Sequence, residues 1–227
     1  MFTYEYPHPA VTTDCVIFGY DIREGLSVLL VERGIEPYRG RWAFPGGFMK
    51  IDEDADTGAL RELKEETGFE PVSIEQFGTF TDVHRDQRER VITIAYLALV
   101  KKGDVVSGDD AAQARWFPVD KVPALAFDHD RILRVAIAKL KEQIHFRPVG
   151  FDLLPEEFTM PQLQALYEAV LGVRFDRRNF AAKMHKLGLL EEVGRRSEGT
   201  PSRIPSRFRF NKERYNELKV GGFRLEF

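Results

Sequence analysis

Two hydrophobic periodicities divide the chain. Apolar residues first gather in short β-branched and aromatic runs: Asp14 to Gly19 (DCVIFG), Ser27 to Glu32 (SVLLVE), Val72 to Val83, and Val91 to Val100 (VITIAYLALV). Gly, Asp and Arg bound them, which predicts strands. Helical spacing appears from Asp54 to Thr67 and from His129 to Gln143. In the second of these, Ile132, Leu133, Ala136, Ile137 and Leu140 recur at helical intervals. The first two-thirds therefore read as a mixed α/β fold.

The character changes near Arg147 and Pro148, which predicts one domain over 1–147 and a second over 148–227. Pro161 to Leu171 reads as a helix with proline in its first turn, where the missing N–H costs nothing, and Gly172 ends it. A second helix is expected from Asp176, as N-cap, to Leu187, with Gly188 beyond. Phe180, Met184 and Leu187 form its apolar face. An Arg-, Ser- and Pro-rich stretch, Gly194 to Ser206, then leads to the alternating, strand-like Arg207 to Phe210 (RFRF). No internal repeat is present.

Bulk composition narrows the class. The chain has 227 residues, 43% hydrophobic and 30% charged, enough for a core or two. The net charge of −3 hides an asymmetry: −6 over the first 147 residues, +3 beyond, and +6 between Gly172 and Arg209 alone. Two parts of opposite sign are expected to meet different partners. Cys15 is the sole cysteine, which excludes an intrachain disulfide and reads as a buried thiol. The first residues lack the basic and apolar regions of a signal peptide. No apolar run reaches the roughly 18 residues of a membrane span. The expected location is the cytoplasm, with no membrane partner.

The segment GFMKIDEDADTGALRELKEETGF concentrates the chemistry. Glu62, Glu65 and Glu66 fall at spacings that share one helix face, where three like charges repel. A divalent cation removes that repulsion, and hard carboxylate oxygens suit Mg²⁺ or Mn²⁺. The ExxEE pattern alone reads first as a solvated acidic helix. Arg61, on the neighbouring helix face, is placed to pair with Glu53 ahead of the helix. Ala55, Ala59 and Leu63 face the other way, toward a sheet. Gly46 and Gly47 let backbone approach a metal or a phosphate closely.

Gly47, Glu53, Arg61, Glu62, Glu65, Glu66 and Gly68 match GX5EX7REUXEEXGU in full, with Leu63 and Phe69 at its apolar positions. The chain resembles the Nudix hydrolases, and RWAFPGG resembles their lead-in to this box. The resemblance implies a loop–helix–loop held in an α/β/α sandwich with a mixed sheet. It implies metal ligation by Glu62 and Glu66, with Glu65 as ligand or support. Glu53 would position metal or water, and Arg61 would orient Glu53. The implied catalytic set is Glu53, Arg61, Glu65 and Glu66; the metal set is Glu62, Glu65 and Glu66. The implied reaction is hydrolysis of a nucleoside diphosphate derivative. Asp109 and Asp110 are candidates for an additional general base.

Between two expected strands, HRDQRER offers Arg85, Arg88 or Arg90 for a phosphate or ribose-linked group, or simply a solvated hairpin loop. With Gly46 and Gly47, Arg85 and Arg88 form the expected substrate set. Farther on, helix, turn, basic helix and basic strand follow the order of a winged helix. Arg177, Arg178, Asn179 and Lys183 would face duplex DNA. Arg195, Arg196, Arg203 and Arg207 would touch phosphates from the wing.

LAFDHDRIL at Leu125, FTMPQLQALYEAVLG and DRRNFAAKMHKLGLL extend the resemblance over nearly the whole chain, to the Nudix-related transcription regulators. Three features depart from those regulators: every catalytic position of the box is kept, Gln87 stands where RDPR has proline, and the wing, GRRSEGTPSRIPSRFRF, is longer than is usual. The expectation is a homodimeric Mg²⁺- or Mn²⁺-dependent Nudix pyrophosphohydrolase. It acts on a nucleoside diphosphate derivative such as ADP-ribose and is fused to a DNA-binding winged helix. The alternative is a regulator of the same build that senses ADP-ribose or a sugar with little turnover. A third is an interaction module without a DNA role.

Overall fold

The computed structural model describes residues 5–70, 73–103, 105, 111–149, 153–193 and 206–221. Asp109, Asp110, Arg195, Arg196 and Arg203 lie outside them. The chain divides into two compact units, 1–19 with 27–139, and 20–26 with 140–227. The change of character read at 148 lies downstream of that division, which falls inside a continuous helix.

A seven-stranded sheet builds the first unit. Its strands are β1 (Ala10–Asp21), β2 (Gly25–Arg33), β3 (Trp42–Ala43), β4 (Gly46–Phe48), β5 (Glu75–Phe80), β6 (Val91–Lys101) and β7 (Ala111–Pro118). Five follow the order β3-β2-β1-β6-β5, while β4 pairs with β1 and β7 with β2. Side chains alternate across a strand, yet Val16, Ile17 and Phe18, and likewise Val28, Leu29 and Leu30, are all wholly buried. Both faces of β1 and β2 are therefore covered, as a layered α/β fold requires.

Helix α1 (Ala55–Thr67) covers one face. Asp54 caps it by accepting the Thr57 N–H, and Gly68 closes it at φ +67°. Ala59 and Leu63 lie in a cluster with Cys15, Ile17, Leu29 and Tyr96. Burying Leu63 contributes about 1.5–3 kcal/mol, and this anchoring turns the glutamates away from that cluster. Helix α2 (His129–Gln143) buries Ile132, Leu133 and Ala136.

The second unit holds helices α3 (Met160–Leu171), α4 (Arg177–Lys186) and α5 (Lys212–Val220). Beside them is a three-stranded antiparallel sheet in the order β8 (Phe158–Thr159), β10 (Arg207–Phe210), β9 (Leu190–Val193). Gln162 accepts the Thr159 N–H at 2.7 Å to cap α3, and Gly172 ends it at φ +72°. Asp176 caps α4 by accepting from the N–H groups of Arg178 and Asn179. Phe158, Leu163, Leu166, Tyr167, Phe180, Met184 and Phe208 form a buried apolar set between helices and sheet. Helix α5, which buries no side chain, was not anticipated from the sequence because its apolar positions carry no stripe. Nor was β7, whose alternation from Ala112 to Trp116 is short and contains no β-branched residue. The expected strand from Val72 to Val83 is shorter, Glu75–Phe80.

Candidate active site and nucleic-acid interface

Arg61 organises the carboxylates of α1. Its Nε and Nη2 donate to the two oxygens of Glu53 at 2.9 and 2.6 Å, a planar two-point grip. Nη1 donates to Glu62 at 2.6 Å and to Glu65 at 2.9 Å, and Nη2 also reaches the Phe48 carbonyl at 3.3 Å. Glu53 further accepts the Lys50 N–H at 2.7 Å. Hydrogen bonding from Arg61, then from Lys50, holds the Glu53 carboxyl down at about 2. The pairing of Arg61 with Glu53 expected from sequence is present; its simultaneous hold on Glu62 and Glu65 was not foreseen. Glu65 is the outlier of the cluster, with its side chain 56% exposed.

The glycine pair explains how helix and sheet approach. Gly46 has φ +153°, and a Cβ there would lie 2.0 Å from the Thr13 carbonyl. A Cβ on Gly47 would lie 2.6 Å from the Glu62 carboxyl carbon. Backbone bars any side chain at Gly46, whereas at Gly47 an added Cβ would displace the Glu62 carboxylate. The Gly46 N–H donates to Glu66 at 2.9 Å. Burial, reinforced by the charges of Glu62 and Asp14, pushes the Glu66 carboxyl up to about 8. The same surroundings push the wholly buried Cys15 thiol up as well, burial first and then Asp14.

Glu62 and Glu66 line a cavity of about 290 Å³. Its wall includes Asp14, Arg33, Gly46, Gly47, Phe48, Arg85, Arg88, Phe127 and His129. Of the arginines read from the 84–90 loop, Arg85 is buried and committed, with Nη2 donating to Asp128 at 2.9 Å and lying 3.5 Å from Asp14. Arg88 pairs with Asp86 at 2.8 Å while its guanidinium lies 5.4 Å from the Phe48 ring centre. Arg90 donates to the Asp82 carbonyl, and does not line the cavity. Gln87, in place of proline, donates to the Tyr38 hydroxyl at 2.8 Å.

Sequence reasoning passed over Asp14, Arg33, Phe48, Phe127 and His129. Each sits in or beside an ordinary apolar or turn segment, with no spacing to mark it. Phe127 adopts φ +53°, unusual for an aromatic residue, and this was invisible in the sequence.

The carboxylate set suits a divalent cation, although among the described residues no three acidic, His or Cys side chains already form a coordination group. Two observations favour the fit. Glu66 is a partly buried carboxylate beside Glu62 and Asp14 whose sole hydrogen-bond donor among the described residues is Gly46 N–H. Gly47 leaves open the space in which the Glu62 carboxylate sits. To ligate through both oxygens, Glu62 must exchange its bond from Arg61 Nη1, while the Nε and Nη2 grip on Glu53 is undisturbed.

In the second unit, Arg177, Arg178 and Asn179 are exposed on the first turn of α4, and Lys183 is half-buried one turn on. The apolar residues Phe180 and Met184 point into the core instead. Arg207 is exposed on β10 and pairs with Glu157 at 3.3 Å.

Comparison with known proteins agrees with both units. Residues 8–138 match the NUDIX domain, and residues 150–210 match the NrtR DNA-binding winged helix domain. The chain is 31% identical over 194 residues to the ADPR responsive transcriptional repressor NtrR of Acinetobacter baylyi, covering 83% of this chain and 77% of that one. It is 37% identical over 129 residues to the ADP-ribose pyrophosphatase of Methanocaldococcus jannaschii, covering 57% and 73%. The crystal structure of Shewanella oneidensis NrtR with a 27mer DNA superposes with a TM-score of 0.73 at 30% identity, over 95% of this chain and 97% of that one. The chain therefore belongs to the Nudix family, as a member that joins an α/β Nudix domain to an NrtR-type DNA-binding winged helix.

Proposed function

We propose that this protein is a divalent-metal-dependent pyrophosphohydrolase of ADP-ribose or a similar nucleoside diphosphate derivative, and that its winged helix binds duplex DNA. The observation that carries the enzymatic reading is the full two-point grip of Arg61 on Glu53 beside Glu62 and Glu66 at a cavity. The similarity to an ADP-ribose pyrophosphatase and to an ADPR responsive repressor supports the choice of ligand.

Glu62 and Glu66 would hold Mg²⁺ or Mn²⁺, with Glu65 supporting from the rim. When bound, the metal neutralises diphosphate charge and acidifies a water. Glu53, kept ionised and oriented by Arg61, would accept a hydrogen bond from such a water. Gly46 and Gly47 would let the diphosphate near their backbone, and the aromatic rings of Phe48 and Phe127 form part of the cavity wall. For DNA, Arg177, Arg178, Asn179 and Lys183 on α4 would meet the groove, with Arg207 and the residues Arg195, Arg196 and Arg203 touching phosphates. Two half-sites call for a homodimer.

The exposed basic start of α4 favours a second reading, a regulator that senses the same ligand with little turnover. A screen of nucleoside diphosphate derivatives with Mg²⁺ and Mn²⁺ decides between them. Hydrolysis of ADP-ribose supports the enzyme. Tight binding without hydrolysis, with DNA affinity lowered by the ligand, supports the sensor. Neither binding nor hydrolysis of any diphosphate removes both.

A further inference from the structure

Three arginines line the cavity, and their commitments differ. Arg85 is held by Asp128 and Asp14, and Arg88 by Asp86. Arg33 stands at the end of β2 with one side-chain hydrogen bond, from Nε to the Pro37 carbonyl at 2.8 Å. Its guanidinium lies over the Phe127 ring at 4.8 Å from the centre. Among the described residues, neither terminal nitrogen of Arg33 has a hydrogen-bond or ion-pair partner. The cation is thus aimed and steadied but not neutralised.

Its mounting is stiff. The Arg33 N–H donates to the Arg41 carbonyl at 2.9 Å, and the Gly40 N–H returns to the Arg33 carbonyl at 2.8 Å, so residues 33–41 form a closed loop. Tyr38 of that loop packs edge-on against Phe127, at 4.9 Å between centres. The Nε bond fixes one edge of the planar fork, and the Phe127 ring lies against it. What stays available is the pair of terminal N–H groups, the geometry that matches two oxygens of a phosphate. Burial, and then the like charge of Arg88, disfavour the charged form of Arg33, while Glu66 on the same cavity attracts it.

We infer that Arg33 grips a phosphate of the bound nucleoside diphosphate from the wall that carries Phe127, while Arg85 and Arg88 position the surrounding loop. The inference rests on the proposed ligand class and names the residue that reads its charge. A phosphate between Arg33 and the Glu62–Glu66 pair meets a cation on the arginine side. Arg85 is already balanced by two carboxylates and Arg88 by one, so each offers less net attraction to a new anion.

The test is calorimetric titration of the full chain with ADP-ribose, ADP and adenosine, in Mg²⁺ and again in chelator. Arg33→Ala is expected to weaken ADP-ribose and ADP by about 10- to 100-fold, the worth of a charged hydrogen-bonded pair, and adenosine by less than about twofold. Arg33→Lys keeps the charge without the fork and should fall between, even if Arg33→Ala loosens the loop. Equal weakening of ADP and adenosine would show that Arg33 only shapes the loop, and would overturn the inference. So would unchanged affinities, or a greater loss in Arg88→Ala than in Arg33→Ala. Failure of the unaltered protein to bind ADP-ribose in either condition would instead overturn the proposed function, and this inference with it.

Discussion

The backbone N–H of Phe44 donates to Nδ1 of His129 at 3.0 Å. A ring nitrogen that accepts carries no proton, so His129 is neutral with its proton on Nε2, which lies 3.5 Å from Asp14. The Phe44 and His129 rings are stacked at 5.1 Å. Burial holds the imidazole below its ordinary 6.5, with Arg85 and Arg33 acting in the same direction and Asp14 and Asp128 opposing.

A pH dependence follows. The unfolded chain takes up the proton first as pH falls, so the contribution of His129 is complete above about 6.5 and is lost on acidification below it. Chemical denaturation of the wild type and His129→Asn between pH 7.5 and 5.5 should show the wild-type advantage shrinking, by at most about 1.4 kcal/mol per pH unit. A constant difference across that range would mean the histidine is not held neutral.

Glu66→Gln should abolish ADP-ribose hydrolysis by at least about 100-fold, since even partners outside the coordination shell of a metal cost 10- to 100-fold. The apo protein should melt no lower than wild type, because burial disfavours the charged form of Glu66 and glutamine removes that charge. Mg²⁺ should raise the melting temperature of the wild type and not of the variant. Full activity in excess chelator would refute metal dependence.

Arg61→Ala should lower kcat by about 10- to 100-fold with metal affinity within about threefold. The reason is that Arg61 orients Glu53 through both carboxylate oxygens and competes for Glu62. Metal titration of activity separates the two effects. A large shift in the metal midpoint at an unchanged saturated rate would contradict the assignment.

Gly46→Ala and Gly40→Ala make a paired test of backbone crowding. At Gly46 an added Cβ meets a carbonyl at 2.0 Å, whereas at Gly40, φ +76°, the nearest atom is 3.9 Å away. The first should cost about 4 kcal/mol or more and the second about 1–2 kcal/mol. Denaturant unfolding measures both, and similar losses would count against the close approach of β4 to β1.

DNA affinity should fall steeply with salt, by about 0.9 in log slope for each phosphate neutralised. Arg207→Ala should flatten the slope. Arg178→Ala or Asn179→Ala, at the exposed start of α4, should change sequence preference instead. Anisotropy with the organism's own upstream DNA at several salt concentrations reads both. ADP-ribose, if it acts as effector, should weaken DNA binding by the same factor as DNA weakens ADP-ribose binding. Absence of binding at low salt would remove the DNA role.

Local rules were sufficient for much of the architecture and of the site. The spacing of Glu62, Glu65 and Glu66 against Ala59 and Leu63 determined which face of α1 is buried, because one helical period places both sets. Asp176 and Gly172 marked helix ends because capping involves neighbours in sequence. Arg61 and Glu53 were readable as a pair for the same reason. Beyond that range, tertiary structure decided. Arg85, Arg88 and Arg33 are alike as sequence, and only folding gave Asp128 and Asp14 to the first, Asp86 to the second, and the Phe127 ring to the third. Phe44 and His129 lie 85 positions apart, and their bond exists because β3 and the start of α2 converge. An arginine's role depends on which charges surround it in space, and those come from distant segments that no local periodicity records.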